Sequence, residues 1–346
     1  MRIAIYGDFT WDRLGASYQR ALRQLGHQVT LLDTKEVRPF LAPWMRTRIG
    51  HRLTIRSLRF RRLGTVAWNR TLIARCREAR VDLVLIFNGD FFMPETARQL
   101  RSLDAKVFVF HADSPFPPSP NVRPEHLPLA RESDRYFIWS RSLIARLREA
   151  GVTQAEYLPF AWDPAVFPSA TTPDGDAEHD VVFIGGWDRW REAWLEGLAS
   201  RFPLKIWGPD YWGTRTRPGS RVRRCWQGRA ATGAEAARIL ARSKVTLNLL
   251  REQNLPDGVN MRTFEVPGCG GFSVATRTGG AASIFPEGQA GAYFDGPEEC
   301  MGRIDYYLSR EDERVEIARA AHRIVEHHTY LDRAREIIQH YGETDR

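Results

Sequence analysis

The sequence is poor in cysteine, in long apolar runs and in lysine, and each shortage excludes a class of protein. Its four cysteines lie far apart and form no CxxC pair, which argues against a zinc site and against a disulfide framework. This cysteine usage is typical of a reducing compartment. No run of 18 apolar residues occurs, so the sequence predicts no membrane-spanning helix. The first residues form a short strand pattern instead of a secretory signal, and we expect a cytoplasmic protein.

Arginine supplies nearly all of the positive charge. Only four of the 50 basic residues are lysine, and the formal net charge is +8 at pH 7. This balance predicts anionic partners, namely phosphates, nucleic acid or an acidic lipid surface. Residues 46–62 contain seven arginines among apolar side chains, which is typical of a basic helix on the inner membrane face and of a segment that follows a nucleic-acid or acidic-polysaccharide backbone. A solvated helix with an apolar core stripe explains the pattern as well.

Both halves of the 346-residue chain alternate short apolar runs with helical patterns, and this length suits two domains. Near-continuous apolar runs are typical of strands that are buried on both faces of a parallel sheet. We predict such strands at residues 2–6, 27–32, 81–87, 106–110, 135–139, 180–184, 204–207, 245–250 and 271–275. No GxGxxG fingerprint occurs in either half, which argues against a simple dinucleotide-dependent dehydrogenase. The predicted fold is therefore α/β, with two Rossmann-like domains whose parallel sheets face each other across a cleft.

A polar stretch with proline and glycine separates the two series, as expected for a linker. Helical patterns, for example at residues 71–79 and 189–199, lie between the predicted strands. The domains that we predict are an N-terminal Rossmann-like domain, a linker, a C-terminal Rossmann-like domain and a last helix whose return to the N-terminal domain stays open. Their bounds are residues 1–160, 161–180, 181–330 and 331–346.

The most informative segment begins at Asp257 and runs DGVNMRTFEVPGCGGF. Glu265 follows Asp257 eight residues later, across a helix that we predict to begin at Gly258. Free N–H groups at a helix N-terminus attract anions, so the amides of Gly258, Val259 and Asn260 are candidates to hold a phosphate. The spacing corresponds to about 12 Å along a helix and suits a nucleotide sugar, which has a hydroxyl-rich group on each side of a diphosphate. The alternative is a helix-capping aspartate and an exposed surface glutamate.

This segment resembles the signature of GT-B glycosyltransferases of the retaining family 4 type, in which E-x7-E precedes small residues and glycine. The run Arg262-Thr263-Phe264-Glu265 is closer still to the CgeB-like (spore-coat maturation) subfamily. Residues 292–299 and 326–333 resemble the end of that subfamily's domain. A further run, LPFAWDPAVF at residues 158–167, resembles the interdomain segment of these enzymes. The resemblance extends over about residues 135–340, with only a general likeness of architecture before them.

Two positions depart from the pattern of the family. Asp257 stands where the family usually has glutamate, which shortens the reach of the carboxylate by one methylene group. Pro267 stands where the family continues its helix. Because proline has no N–H group to donate, we predict that this helix ends at Val266.

The resemblance implies roles for the motif residues. Glu265 would accept hydrogen bonds from the ribose hydroxyls of the nucleotide, and Arg262 belongs to the same donor-binding motif. Asp257 and the amides that follow it would contact the donor sugar and the diphosphate. These implied contacts make Asp257 a candidate catalytic residue as well as a binding residue.

A second run, FIGGWDRWR, resembles the first strand, loop and helix of the family's C-terminal domain. There a glycine turn, here Gly185 and Gly186, meets the diphosphate together with a basic residue. Arg189 and Arg191 are both candidates for that residue, since arginine binds phosphate oxygens bidentately and stays charged. The alternative for either arginine is a solvated helix face, and the sequence does not choose between them.

Three further positions complete the predicted site. His111 follows the strand at 106–110, at the edge where α/β folds bind ligands, and the family often has a histidine there that touches the donor sugar. The alternative for His111 is a core or surface histidine with no part in the site. Gly15 resembles part of the flexible loop that closes over the cleft, although a turn glycine explains it equally. Trp207, with Tyr211 and Trp212 close behind it, is a candidate wall for the nucleotide base or the sugar, although most tryptophans are core residues.

The predicted function is transfer of a sugar from a nucleoside diphosphate donor, with UDP among the candidates, to a glycan, lipid-linked or protein acceptor. The sequence specifies neither the base nor the sugar of the donor. Retention is implied by the resemblance alone, and we expect neither a metal nor a bound cofactor, because no DxD-like metal pair stands out. One alternative is a nucleic-acid-binding protein or a transferase that modifies DNA, motivated by the charge and by residues 46–62. Another is a nucleotide-sugar 2-epimerase, which shares the two-domain architecture and needs no acceptor.

Overall fold

The computed structural model describes residues 1–10, 14–37, 40, 58–119, 121–169 and 177–344. It divides into two compact units. Unit 1 comprises Met1–Pro159 and Tyr330–Arg346, and unit 2 comprises Phe160–Thr329. Most of the arginine-rich stretch, residues 46–57, lies outside the described residues. None of the described helices is both long enough and apolar enough to cross a membrane.

Unit 1 is built on a six-stranded parallel sheet with the strand order β2-β1-β3-β4-β5-β6. Its strands are β1 (Arg2–Gly7), β2 (Gln28–Asp33), β3 (Leu83–Phe87), β4 (Lys106–His111), β5 (Arg135–Ile138) and β6 (Ala155–Tyr157). Every residue of β3 is buried, as expected for a strand with helices on both faces of its sheet. Register is continuous through the centre, where Ile5 of β1 lies opposite Leu31 of β2 and Leu85 of β3.

Helices connect these strands, because successive parallel strands require a crossover. The helices of unit 1 are α1 (Leu14–Gln24), α2 (Leu58–Glu78), α3 (Pro94–Arg101), α4 (His126–Glu132), α5 (Arg141–Glu149) and α14 (Tyr330–Glu343), and a 3-10 turn covers Thr34–Val37. The last helix, α14, packs on α1, where the ring centroids of Tyr18 and Tyr330 lie 5.2 Å apart. The buried Arg333 of α14 donates from Nε to the carbonyl of Pro159 at 3.2 Å.

Unit 2 is built on a five-stranded parallel sheet with the order β11-β10-β9-β7-β8. Its strands are β7 (His179–Ile184), β8 (Leu204–Trp207), β9 (Ser243–Asn248), β10 (Ser273–Thr276) and β11 (Ala292–Phe294). Its helices are α6 (Arg189–Ala199), α7 (Tyr211–Arg215), α8 (Arg221–Cys225), α9 (Gly233–Ala241), α10 (Arg262–Gly268), α11 (Gly279–Ile284), α12 (Pro297–Leu308) and α13 (Glu311–Val325). Phe183, Val245 and Val274 from the three central strands join one apolar core.

Residues 160–169 belong to unit 2 in this structure, whereas the sequence analysis assigns residues 161–180 to a linker. Trp162 accounts for the difference: its backbone N–H donates to the carbonyl of His328 at 2.9 Å, and its side chain is buried. The indole Nε1 of Trp162 donates to the carbonyl of Phe167 at 2.7 Å, so this segment is fixed by its own hydrogen bonds. Residues 160–167 are mainly apolar, and the polar composition typical of a linker begins only after them.

Candidate active site

The strand order of unit 2 reverses at β7, which lies between β8 and β9. Loops that follow strands on either side of such a reversal diverge and leave a crevice at the carboxyl edge of the sheet, where α/β folds bind ligands. In unit 2 these loops are residues 185–188 after β7 and residues 249–261 after β9. Both contain residues that the sequence analysis singled out, so the topology brings the glycine turn and the Asp257 segment to the same edge.

The glycine turn after β7 is closely surrounded. A Cβ atom on Gly186 would lie 2.9 Å from the Tyr211 hydroxyl and 3.6 Å from Nη2 of Arg251. The absence of a side chain thus lets a phenol and a guanidinium group approach the turn. The carbonyl of Gly185 accepts a hydrogen bond from Nε1 of Trp212 at 2.9 Å.

Arg191 connects the two loops. Its Nη1 donates to the carbonyl of Gly186 at 3.1 Å, and its Nη2 donates to the carbonyl of Leu249 at 2.8 Å. The side chain is only 9% exposed, and burial together with the nearby Arg251 lowers its pKa to about 10, so it remains charged at neutral pH. Arg189, the other predicted arginine, lies exposed on α6. The two candidates therefore differ in position: one holds the backbone of both loops and the other faces solvent.

Arg251 is a cation of the site that no sequence motif marks. It follows β9 closely, and its Nε lies 3.3 Å from Oδ2 of Asp188, the residue that caps α6 by accepting from the Arg191 N–H at 2.8 Å. Its side chain is 36% exposed, so it combines a fixed position at the crevice with access to a ligand. The signal available in the sequence is weak, because Arg251 lies six residues before the recognised motif and meets Gly186 only through the fold.

Aromatic side chains lie beside this turn. The guanidinium carbon of Arg215 is 5.1 Å from the ring centroid of Tyr211 and 5.7 Å from that of Trp187. Trp187 donates from Nε1 to Oε2 of Glu192 at 2.8 Å, which fixes the indole. The predicted wall residue Trp207 is instead buried, with its ring 5.2 Å from that of His179, the first residue of β7.

The prediction of a helix that begins at Gly258 is wrong, because α10 begins at Arg262. The N–H of Gly258 already donates to the carbonyl of Asn254 at 2.7 Å, and the N–H of Asn260 donates to Oγ1 of Thr263 at 3.3 Å. Asn260 also accepts from the Thr263 N–H through Oδ1 at 2.9 Å, a local bond that competes with helix formation before it. Two of the three amides predicted to hold a phosphate are therefore engaged within the loop.

Val259, the remaining predicted amide position, has a fully buried side chain, and its carbonyl accepts from Nδ2 of Asn254 at 3.1 Å. Asn260 extends the network to the end of β9, where its Nδ2 donates to Oδ1 of the buried Asn248 at 2.8 Å. These bonds hold the loop after β9 in shape. The polar side chains of Asn254 and Asn260 thus stabilise the conformation of the loop.

Asp257 and Glu265 do not share a helix, which corrects the sequence expectation. Asp257 lies half-buried in the loop, and its backbone carbonyl is so close to Gly280 that a Cβ atom there would overlap it. Glu265 lies in α10, is 4% exposed and forms an ion pair with Arg262. Arg262 also donates from Nε to the carbonyl of Ile184 at 3.3 Å, so this pair reaches the end of β7.

The predicted end of α10 at Val266 is also wrong, since the helix includes Pro267 and ends at Gly268. Proline removes one donor, but the N–H of Cys269 still bonds to the carbonyl of Glu265 at 3.0 Å and continues the helical pattern past it. The helix can therefore tolerate the proline near its last turn.

In unit 1, His111 ends β4 and is 1% exposed. Its Nδ1 lies 2.6 Å from the carbonyl of Asp113, and its Nε2 lies 3.1 Å from Nδ1 of His126. His126 in turn places Nε2 at 3.2 Å from Oδ1 of Asp90, which also pairs with Nε of Arg123 at 2.6 Å. Both ring nitrogens of His111 therefore have protein partners.

Protonation of this chain of residues follows from its hydrogen bonds. Burial and the neighbouring His126 lower the pKa of His111 to about 4, so its ring is neutral at pH 7. A neutral His111 donates from Nδ1 to the carbonyl of Asp113 and accepts at Nε2, which requires an N–H on Nδ1 of His126. Nε2 of His126 faces the carboxylate of Asp90. Burial alone would raise the pKa of Asp90, but His126 and Arg123 outweigh it and lower that pKa.

Gly15 lies in α1 and is buried, which corrects the prediction of a loop glycine. A Cβ atom there would lie 2.8 Å from the backbone carbonyl of Asp8, so the glycine permits close packing of α1 against the turn after β1. Residues 11–13 of the predicted loop lie outside the described residues.

Residues 189–339 match a family model described as glycosyl transferase-like. Among solved structures, the chain is similar to sucrose-phosphate synthase from Thermosynechococcus elongatus, with 11% identity and a TM-score of 0.67 over 99% of this chain and 98% of that one. The chain has a GT-B fold. A comparison with curated proteins finds no match.

Two further GT-B structures are similar over nearly their whole length. HepE from Anabaena, solved in complex with UDP and glucose, is 12% identical, with a TM-score of 0.65 over 99% of this chain and 100% of that one. A glycosyltransferase from Rickettsia africae is 14% identical, with a TM-score of 0.68 over 99% of this chain and 98% of that one. The predicted α/β fold of GT-B type, with two Rossmann-like domains, is confirmed, and the family match over residues 189–339 confirms the predicted enzyme class, that of the glycosyltransferases.

Proposed function

We propose that this glycosyltransferase takes its sugar from a nucleoside diphosphate donor bound at the carboxyl edge of the unit 2 sheet. The observation that carries the proposal is the arrangement of Gly186, Arg251 and Arg191 at the point where the strand order reverses. The absence of a side chain at Gly186 lets Arg251 approach the turn. The accessible guanidinium group of Arg251 supplies bidentate donors to the phosphate oxygens of a diphosphate. HepE, a structural neighbour, is described in complex with UDP and glucose, which makes a uracil nucleotide the first to test.

The proposed roles divide between contact and support. Arg251 binds the diphosphate and stabilises the negative charge that the leaving group gains as the glycosidic bond breaks. Arg191 holds the two loops at the distance that this contact requires. Glu265 accepts hydrogen bonds from the ribose hydroxyls, and Arg262 fixes its carboxylate. Asp257, which lies in the same loop as Arg251, contacts the donor sugar.

The finer parts of the function are proposals of the same kind. Retention of the anomeric configuration and independence of a metal ion rest on the resemblance to the retaining family 4 type and to the CgeB-like subfamily. Arginine charge at the diphosphate performs the task that a metal ion performs in other transferases. The proposed acceptor is a glycan, a lipid-linked sugar or a protein. His111 is enclosed by protein partners, and its proposed role is that of a positioning residue. It contacts His126, which in turn holds the carboxylate of Asp90.

The first test is thermal stabilisation of the full chain by UDP, GDP, dTDP, ADP and CMP. A site filled at a hundred times its dissociation constant adds about 2.7 kcal/mol to the free energy of unfolding, so a donor site is visible. We expect one nucleotide to stabilise the wild type and an Arg224→Ala control, which removes an exposed arginine of α8 in the same unit. The variant Arg251→Ala should lose that stabilisation. Equal stabilisation of Arg251→Ala and wild type would show that the diphosphate binds elsewhere.

Turnover of the matching nucleotide sugar then tests the finer claims. Product formation with EDTA present supports metal independence, and the anomeric coupling in the proton NMR spectrum reports retention or inversion. Conversion of the nucleotide sugar without any acceptor would favour the epimerase alternative. If no nucleotide stabilises the chain while DNA does, the donor proposal fails.

A further inference from the structure

Unit 2 has a second cavity at the opposite edge of its sheet from the loops described above. Its volume is about 490 Å³, and it is lined by Ser243 and Lys244, which begin β9, and by Phe272, which precedes β10. Strands of four to six residues separate the two edges by roughly 13–20 Å. The cavity is therefore distinct from the proposed donor site.

The lining of this cavity is strongly basic. Five arginine and lysine side chains line it, against the single carboxylate of Glu311; the five are Arg242, Lys244, Arg314, Arg319 and Arg323. Two of the five are neutralised locally, because Arg242 pairs with Glu178 at 3.0 Å and Lys244 pairs with Asp180 at 2.7 Å. A cavity of this charge attracts anions.

Arg314 places a buried positive charge in the wall of the cavity. It is 6% exposed, and its guanidinium group donates to the carbonyl of Tyr307 and, at 3.2 Å, to the carbonyl of Leu308. These bonds fix it at the end of α12 and leave its positive charge uncompensated by an ion pair among the described residues.

Arg319 and Arg323 lie one turn apart on α13 and both line the cavity. Within the ranges that the structure describes, neither side chain forms an ion pair or a hydrogen bond. Like charges four residues apart on a helix repel each other and cost stability. Side chains at this spacing are also close enough for both guanidinium groups to reach one phosphate group.

We propose that this cavity binds a phosphate monoester. Arg319 and Arg323 would hold the phosphate oxygens, and the apolar wall of Val315, Ala318 and Phe272 would receive part of the group that carries it. The ligand chemistry is shared by two sources, a free phosphorylated sugar and the head group of phosphatidic acid. The proposal does not depend on the donor site, because none of these residues lies in the loops after β7 or β9.

The test uses the full chain and glucose 6-phosphate as probe, with glucose as the uncharged comparison. Calorimetry should detect binding of glucose 6-phosphate to the wild type and none of glucose. The double variant Arg319→Ala/Arg323→Ala should weaken this binding at least about tenfold, since it removes both phosphate ligands. A matched control, Arg223→Ala/Arg224→Ala, removes two exposed charges from α8 in the same unit and should stay within about twofold of wild type.

Two further measurements locate the site and identify the source. Glucose 6-phosphate should slow hydrogen exchange in residues 311–325 of the wild type. Vesicles that contain phosphatidic acid should sediment the wild type but not the cavity variant if the lipid head group is the ligand. A melting temperature equal to or above that of wild type shows that the double variant is folded, since removing the repulsion favours α13. Equal affinity of wild type and cavity variant for both probes, or equal losses in the cavity and control variants, would overturn the proposal.

Discussion

The two units share a sheet topology but differ in what they place at its carboxyl edge. In unit 1, β1 lies between β2 and β3, and in unit 2, β7 lies between β8 and β9. Each sheet therefore has one reversal of strand order, where two loops diverge. In unit 2 these loops carry Gly186 and Arg251, and Arg191 at the start of α6 bonds to both loops, so positive charge lies beside the glycine turn.

The corresponding loop after β3 in unit 1 presents a carboxylate instead. Asn88, Gly89 and Phe91 all have positive φ, at 62°, 89° and 62°, which for a residue as bulky as phenylalanine is strained and needs support from its surroundings. Asp90 lies within this loop and is held by Arg123 and the buried histidine pair. The comparison teaches that the sheet determines where a ligand can bind, while the loop residues determine which charge it meets.

The largest expected difference in stability concerns two glycines at the carboxyl ends of strands, Gly208 in unit 2 and Gly7 in unit 1. A Cβ atom on Gly208, after β8, would overlap Nε1 of Trp212 and the carbonyl of Gly185, a backbone atom that cannot move away easily. A Cβ atom on Gly7, the last residue of β1, would lie 3.3 Å from the ring of Phe87, which can shift slightly. We expect Gly208→Ala to lower the free energy of unfolding by about 3 kcal/mol and Gly7→Ala by about 1 kcal/mol. Urea denaturation measures both, and equal losses would contradict the tighter packing of the unit 2 turn.

Acid should weaken unit 1 before unit 2, by about 2 kcal/mol between pH 7 and pH 5. The folded chain keeps His111 neutral down to a pKa of about 4, whereas the unfolded chain takes up the proton near the ordinary value of 6.5. Over this window the unfolded state binds more protons, so stability is full above pH 6.5 and is lost as the pH falls. Hydrogen exchange of β3 and β4, corrected for its intrinsic pH dependence and set against β7 and β9, reports the loss by unit.

The variant His111→Asn is the control for this prediction. It keeps an amide donor for the carbonyl of Asp113 but removes the titrating ring, so its unit 1 strands should lack that part of the pH dependence. A variant whose β4 protection falls with acid as steeply as in the wild type would assign the effect to another group.

The strands were predictable because both faces of each sheet are covered. The apolar runs predicted at residues 81–87 and 106–110 contain β3 and all but the last residue of β4. The start of α2 at Leu58 was not predictable from the helical pattern at residues 71–79. Residues 58–70 mix arginines with apolar side chains and form no clear apolar stripe along the helix. Binary pattern therefore locates buried strands better than it locates the ends of a surface helix.

The site was predictable only in part, because its loops are shaped by side-chain hydrogen bonds. The motif correctly drew attention to the segment after β9, yet the bonds made by Asn254 and Asn260 keep that segment from becoming a helix before Arg262. Arg251 carries no motif and becomes a candidate only when the fold places it beside Gly186. Spacing along the chain thus identifies a region, while the identity of the contacting residue depends on the neighbouring strand.

A smaller effect separates the two arginines that the sequence left open. Arg191→Lys retains the charge but cannot reach both carbonyls, of Gly186 and Leu249, with the same geometry, so we expect a loss of about 1.5 kcal/mol in stability. Nucleotide affinity should fall severalfold, because the loops lose their shared anchor. Arg189→Lys, on the exposed face of α6, should change stability by less than about 0.5 kcal/mol and leave nucleotide affinity unchanged. A larger loss of affinity for Arg189→Lys would make that arginine the diphosphate ligand.

The smallest effect is expected at the aromatic residues near the site. Tyr211 lies at the glycine turn with Arg215 over its ring, so Tyr211→Leu should remove a stacking surface worth about 1 kcal/mol, a change of about fivefold in nucleotide affinity. Trp207 is buried against His179 and has little surface left for a ligand. Trp207→Phe should therefore leave nucleotide affinity within about twofold of wild type while costing about 1 kcal/mol of stability through lost packing. Titration calorimetry with the stabilising nucleotide measures both variants, and a greater loss of affinity for Trp207→Phe than for Tyr211→Leu would place the base against β8 instead of beside the turn after β7.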